Sequence, residues 1–450
     1  METFSDRGTG ELLPAFVTVL LCIYALWFLV SFLQRSRPGM RIVRQVAIGF
    51  ALRVFVAIAI SLTALEATLR GGDESFFLRQ ADLLTQFSSI SSQWLDTLTT
   101  ELHVFVFAGQ LDLFDSPELV LRITQVTIAM AGFIFLATAV YELAGPRAAG
   151  IAAWVLAFEP SSIFFNSILH KEPNMSLAGG LVAYGGAMLW KRGQARWLLP
   201  MVLGCGIAVA TRPYAGWFLI AATAAIALHS GLRRERRGSA TGTVLVAATV
   251  LFVAIMAPTV LEASTEDELP AQLQTSQDAN VSDESSLALE RVDFSTRESI
   301  VQNLPQRIAD VLTRPYPWQL ENASQQLGAL GALIALIVLA LLISQMIQSR
   351  GQIMARAGPL LYICAALLIA YSLSAGNAGT AFRYRTHILV IGIAALVVLW
   401  TWNTGRARVS ADEQAHDERE AGARWIAAEP SRAPAPTQLG SVSGGTEAST

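Results

Sequence analysis

Four short charged stretches interrupt an otherwise strongly apolar chain, and their residue types suit a site that handles an anion. Gly71-Gly72-Asp73-Glu74 places two adjacent carboxylates behind a pair of glycines, whose backbone freedom permits a tight turn off a preceding helix. Glu159-Pro160-Ser161-Ser162 leads through Asn166 to His170-Lys171-Glu172 and Pro173. Arg212-Pro213-Tyr214 stands between two apolar runs, and Asn377 opens a segment that ends Arg383-Tyr384-Arg385 before His387. A carboxylate can deprotonate an acceptor hydroxyl or hold a divalent ion, while arginine and lysine offset negative charge on a phosphate. Each stretch also has a plainer reading. Asp73-Glu74 can be an ordinary solvated loop, Glu172 a favourable charge at a helix N-terminus, Arg212 a snorkelling cation and Tyr214 an interfacial aromatic.

The elements that must position these residues are membrane-spanning helices. Hydrophobic residues make up 53% of the 450 and charged residues 15%, against about 25% charge in an ordinary soluble domain. Apolar runs near the roughly 18 to 20 residues that cross a bilayer recur from residue 15 to residue 402. The expected architecture is therefore all-α, a polytopic transmembrane bundle of about 11 spans at 15–34, 43–66, 117–140, 148–165, 173–190, 197–212, 213–230, 241–261, 327–347, 357–374 and 386–402. The joint at Arg212-Pro213 leaves open whether two short spans or one broken helix lie there. The start, METFSDRGTGELLPAF, lacks a basic n-region and reads as part of a retained span rather than a signal peptide. Cys22, Cys205 and Cys364 lie inside apolar stretches and suggest neither a disulfide framework nor a thiolate metal site. With a net charge of −3 there is no basic face for nucleic acid.

Charge sets the expected orientation. Arg35, Arg37, Arg41 and Arg44, then Arg147, then Lys191, Arg192 and Arg196, then Arg233, Arg234, Arg236 and Arg237, then Arg350 and Arg356 occupy alternate loops, and short basic loops stay cytoplasmic. The amino terminus is then outside, and the acidic loops 67–116 and 262–326 are outside with it. All four charged stretches fall on that outer side. Phe76, Phe77, Leu83, Leu84 and Phe87 suit a juxtamembrane helix in the first long loop, as do Ile300, Leu304, Ile308 and Leu312 in the second. The expected organisation is an extra span and cytoplasmic loop over 1–42, a catalytic membrane domain over 43–402, and a disordered cytoplasmic tail over 403–450.

Taken in order, these stretches resemble the GT-C class of integral membrane glycosyltransferases, in particular the bacterial branch of protein mannosyltransferases and lipid A aminoarabinose transferases. The resemblance covers roughly residues 43–402 and departs at the extra first span. It implies transfer of a sugar from a polyprenyl-phosphate carrier to a glycan, lipid or protein acceptor at the outer face of a bacterial inner or plasma membrane. Asp73 or Glu74, with Asp73 favoured, stands where the family has its catalytic acid. His170, Lys171, Glu172, Arg212, Tyr214, Asn377, Arg383, Tyr384 and Arg385 fall to substrate binding. The resemblance adds no cofactor beyond a divalent metal that Asp73 could hold. Rival readings are a lipid-linked polysaccharide polymerase or ligase, a lipid or polysaccharide transporter, and a non-catalytic assembly protein. No ATP-binding motif, HExxH pair or nucleophile elbow is present, and the charges gather at the rim rather than at the midplane where transporters bind.

Overall fold

The computed structural model describes residues 12–63, 72–88, 91–235, 292–316, 323–376 and 378–428, with isolated positions between them. Among the described residues the regular structure is entirely helical. Seven helices are long and apolar enough to cross a membrane: Leu12–Gln34, Val43–Leu62, Glu118–Ala144, Pro213–Arg234, Gly328–Gln348, Ile353–Ser374 and Gly379–Arg406. The chain is thus an all-α polytopic bundle. Seven of the eleven expected spans fall on these seven helices; those at 148–165, 173–190 and 197–212 fall on helices that are not among the seven, and most of the one at 241–261 lies outside the described residues.

In chain order the helices are α1 (Leu12–Gln34), α2 (Val43–Leu62), α3 (Gly72–Thr85), α4 (Ser92–Thr100), α5 (Leu102–Phe114), α6 (Glu118–Ala144), α7 (Pro146–Phe158), α8 (Pro160–Phe165), α9 (Glu172–Arg192), α10 (Leu198–Thr211), α11 (Pro213–Glu235), α12 (Arg297–Thr313), α13 (Ala323–Gln348), α14 (Ile353–Ser374) and α15 (Ala378–Ala428). Proline sets two of the joints. The expected span 148–165 is divided at Glu159, which is extended before Pro160, because the residue before a proline is driven out of the helical region. Arg212 is likewise non-helical, with φ −145° and ψ 87°, and Pro213 begins the next helix. Two separate helices therefore meet at Arg212.

Residues Met1–Asn403 form one compact unit and Thr404–Thr450 a second. In the second, helical backbone continues to Ala428, over part of the stretch expected to be an irregular tail; residues 429–450 lie outside the described residues. At the centre of the first unit α6 and α9 approach almost backbone to backbone. A Cβ added at Gly132 would stand 2.3 Å from the carbonyl oxygen of Ser176, and one at Gly180 would stand 2.2 Å from that of Gly132. Such small-residue crossings are how helices associate where lipid removes the hydrophobic incentive. Around this core, Phe16, Leu21 and Tyr24 of α1 and Leu333, Ile337 and Leu341 of α13 are exposed, as expected of faces turned to lipid.

Buried arginines close the breaks between helices. Arg53 is wholly buried and donates to the carbonyls of Gly49, Leu156 and Ala157 at 3.0 to 3.2 Å and to Ser162 Oγ at 2.7 Å. It thereby satisfies the open carbonyls at the end of α7 and ties α2 to the Glu159 joint. Glu159 in turn accepts from the backbone N–H groups of Ser161 and Ser162 at the start of α8.

Candidate active site

α3 begins at Gly72 and carries Asp73 and Glu74 in its first turn. Successive residues of a helix diverge by about 100°, so the two carboxylates face different surroundings. Phe77, Ala81 and Leu84, spaced along one face, are buried against Val104, Phe107 and Ala108 of α5. That docking turns Glu74 inward. Its Oε1 lies 2.8 Å from Arg122 Nη1 and accepts from the backbone N–H of Leu169 at 2.9 Å; Arg122 also binds Glu118 at 2.6 Å. Glu74 thus fastens α3 to α6 and to the 166–171 turn, and is fully buried. Asp73 remains half-exposed and receives a hydrogen bond from Arg383 Nη1.

The 166–171 turn delivers His170, Lys171 and Glu172 to the start of α9. Glu172 is fully buried, and its Oε1 accepts from Arg212 Nη2 at 2.5 Å. His170 Nδ1 lies 3.7 Å from Glu172 Oε2 and 3.4 Å from Arg383 Nη1. Asp73, Arg383, His170, Glu172 and Arg212 therefore form one continuous line of alternating charge and polarity at one end of the bundle. They come from α3, α15, the 166–171 turn, α9 and the α10–α11 joint.

An aromatic platform holds the Arg212 end of this line. The Arg212 guanidinium lies 4.6 Å from the centre of the Tyr384 ring, Tyr371 stacks on Tyr384 at 4.5 Å, and the hydroxyls of Tyr214 and Tyr384 are 2.5 Å apart. Tyr371 reaches His387 Nδ1 at 3.2 Å, and His387 Nε2 meets the Glu172 carbonyl at 3.3 Å. Arg212 Nη1 is buried and makes no hydrogen bond among the described residues. A cation that is desolvated, oriented by rings and not fully used is equipped to take an anionic oxygen.

Burial and neighbouring charge together set the protonation of Asp73, His170 and Lys171. Partial burial pushes the Asp73 carboxyl up, but the guanidinium of Arg383 outweighs it and holds the group below its ordinary value. Burial pulls His170 down to about 4, with Glu172 opposing and Arg383 assisting, so the imidazole is neutral near pH 7. Lys171 stands beside the line. Its Nζ is 3.6 Å from Glu101 and 5.3 Å from the centre of the Phe77 ring, and burial lowers its pKa against the pull of Glu101.

The expected site residues thus separate into groups. Asp73, His170, Glu172, Arg212 and Arg383 are brought together, with Tyr214 and Tyr384 as their platform and Lys171 at the edge. Glu74 is turned away to Arg122. Arg385 is also turned away: its donors go to the carbonyls of Val311, Leu312 and Arg314 at 2.7 to 3.3 Å and of Gly328 at 2.9 Å, closing the end of α12. Asn377 lies outside the described residues. No group of three or more His, Cys, Asp or Glu side chains gathers as for a metal ion among the described residues; Asp73 faces an arginine. The sequence reading overlooks Arg53, Glu101, His103, Arg122 and Tyr371. Arg53 and Arg122 carry a signal that reading could have used, since each is a charge inside an apolar run.

No curated protein and no solved structure matches the chain. The segment 101–261, just over a third of the chain, includes His170, Glu172 and Arg212 and leaves Asp73 and Arg383 outside. That segment matches the family model described as dolichyl-phosphate-mannose-protein mannosyltransferase, a GT-C glycosyltransferase family, which with the seven apolar helices supports a multi-pass membrane glycosyltransferase of the GT-C type.

Proposed function

We propose that this protein transfers a sugar from a polyprenyl-phosphate carrier to a hydroxyl-bearing acceptor at the outer face of the membrane, with Asp73 as the base. The observation that carries the reading is the line Asp73–Arg383–His170–Glu172–Arg212, which collects one partly exposed carboxylate and two arginines at a single helix end. The loop charges favour the outer side for that end.

The acceptor oxygen attacks the anomeric carbon as the bond from that carbon to the phosphate oxygen breaks, and the configuration inverts. The acceptor proton passes to Asp73, and the bond's electron pair leaves with the polyprenyl phosphate. Charge grows on the departing phosphate, so cations aimed there stabilise the transition state more than the ground state. Arg383 is partly exposed and sits at the line's open end, which makes it the first phosphate ligand. Arg212, desolvated and held by Glu172 and Tyr384, supplies the second.

With no donor bound, Arg383 depresses the basicity of Asp73. A donor phosphate that engages Arg383 withdraws that cation and leaves Asp73 a better base, so the acid is activated when a leaving group is in place. His170, neutral and wedged between Arg383 and Glu172, keeps the two arginines at their separate posts. The test is sugar transfer by purified protein from a panel of polyprenyl-phosphate sugars. Turnover with at least one donor supports the reading; turnover that survives Asp73→Ala refutes the role of Asp73.

A further inference from the structure

The helix ends opposite Asp73 hold a second polar feature. Glu74 meets α6 at Arg122, and Glu142 stands twenty residues further along the same helix, roughly 30 Å away at 1.5 Å per residue. That is about the thickness of a bilayer's hydrocarbon core. There a cleft of about 420 Å³ is lined by Tyr141, Glu142, Lys191, Arg356, Val398 and Trp402, among others. These come from the ends of α6 and α9, the start of α14 and the middle of α15.

Its charge balance is positive. Glu142 is already spoken for: Arg37 Nε lies 2.7 Å from its Oε1, and Arg192 Nη2 lies 3.6 Å from the same atom. Arg37 is itself locked in place, donating to the Leu33 carbonyl at 2.7 Å and to the Tyr184 hydroxyl at 3.1 Å. Lys191 and Arg356 have no carboxylate at ion-pair distance among the described residues. Arg356 is oriented, with its guanidinium 4.9 Å from the centre of the Trp402 ring. Two uncommitted cations beside accessible apolar lining at Ala144 and Pro146, with aromatic groups at the water–lipid level, match a phosphate ester that brings its own hydrocarbon.

We propose that this cleft binds the phosphate headgroup of an anionic phospholipid in the leaflet opposite the transfer site, with Lys191 and Arg356 as its ligands. The inference is independent of the sugar-transfer reading, because no residue is shared between the two ends. A soluble phosphate ester offers the same headgroup chemistry, but it would leave the accessible apolar lining at Ala144 and Pro146 uncovered.

The test is native mass spectrometry of the full-length protein, purified in detergent with phosphatidylglycerol and phosphatidylcholine supplied in equal amounts. Wild type and Asp73→Asn are expected to retain phosphatidylglycerol selectively. Removing each cation should weaken that retention about fivefold, so Lys191→Gln with Arg356→Gln should bring the two lipids close to parity. The charge-keeping pair Lys191→Arg with Arg356→Lys should preserve the preference, which separates loss of charge from misfolding. Undiminished preference for phosphatidylglycerol in the double glutamine variant overturns the assignment. Displacement of the lipid by an equal concentration of glycerol 3-phosphate overturns it in favour of a soluble ligand.

Discussion

Arg383 Nη1 donates to Asp73 Oδ2, joining residues 310 positions apart in the chain. The link closes the first juxtamembrane helix onto the last long helix, and it makes the proposed base and the proposed phosphate ligand compete for each other until donor arrives. Neither residue lies in the segment that matches the mannosyltransferase model.

Arg383→Ala is expected to lower kcat with donor by about 10²- to 10³-fold, the usual cost of losing one donor to a developing oxyanion. Arg383→Lys should recover part of it, since a point charge remains but the planar fork is gone. Steady-state kinetics at saturating donor measures both. A rise in KM with kcat untouched would show that Arg383 binds ground state and transition state alike.

Glu172 and Arg212 are both buried. Removing one partner of such a pair leaves the other charged and unmatched, at a cost of about 3 to 5 kcal/mol. Glu172→Gln and Arg212→Met are therefore each expected to reduce the yield of folded protein, and the double variant to recover much of it while staying inactive. Thermal unfolding of the purified proteins gives the answer. Double-variant damage equal to the sum of the two singles would mean that the residues do not interact.

Acid should weaken the fold through His170. Its pKa in the folded chain is about 4, below the ordinary 6.5, so the unfolded chain binds the proton more readily. The contribution is complete above about pH 6.5 and is lost as pH falls towards 4. Asp73, also depressed, adds a loss that begins only below its ordinary value. His170→Gln should flatten the fall in melting temperature between pH 7 and 5, with Asp73→Asn showing the same slope as wild type there. A slope unchanged in His170→Gln would contradict the buried neutral imidazole.

Gly132→Leu forces a side chain into the Ser176 carbonyl across the α6–α9 crossing. Overpacking of this kind costs roughly 1 to 3 kcal/mol, and here it also separates Arg122 on α6 from the turn that carries His170. A clear drop in melting temperature together with lost transfer is expected from fluorescence-detected unfolding and the activity assay. Gly109→Leu, where an added Cβ meets nothing within 4 Å, is the matched control and should change neither.

Much of the bundle is legible in the sequence because hydropathy runs and prolines act locally. Pro160 and Pro213 mark two helix joints by the backbone geometry they impose, and of the apolar residues Phe76, Phe77, Leu83, Leu84 and Phe87 that mark the helix of the first long loop, Phe77 and Leu84 form its buried face while Phe76, Leu83 and Phe87 are exposed. Pairings between distant residues are not local. Asp73 and Glu74 are chemically near-equivalent neighbours, and only the docking of α3 on α5 decides which meets Arg122 and which meets Arg383. Arg383 and Arg385 look like one cationic motif, yet two residues on a helix are about 200° apart, so one faces the line and the other the end of α12. In the 297–313 helix the spacing of Ile300, Leu304, Ile308 and Leu312 gives the right element. The face that is most buried, however, is Arg307, Asp310 and Val311, where Asp310 pairs with Arg307 at 3.6 Å and with Arg314 at 2.9 Å.

The most direct measurement is transfer from a polyprenyl-phosphate sugar by purified wild type and Asp73→Asn side by side, with melting temperature recorded for both. Asp73 is half-exposed, so the substitution should leave the fold intact while transfer falls by about 10²- to 10⁴-fold, the range supplied by a positioned general base. Equal transfer rates in two equally stable proteins would contradict Asp73 as the base.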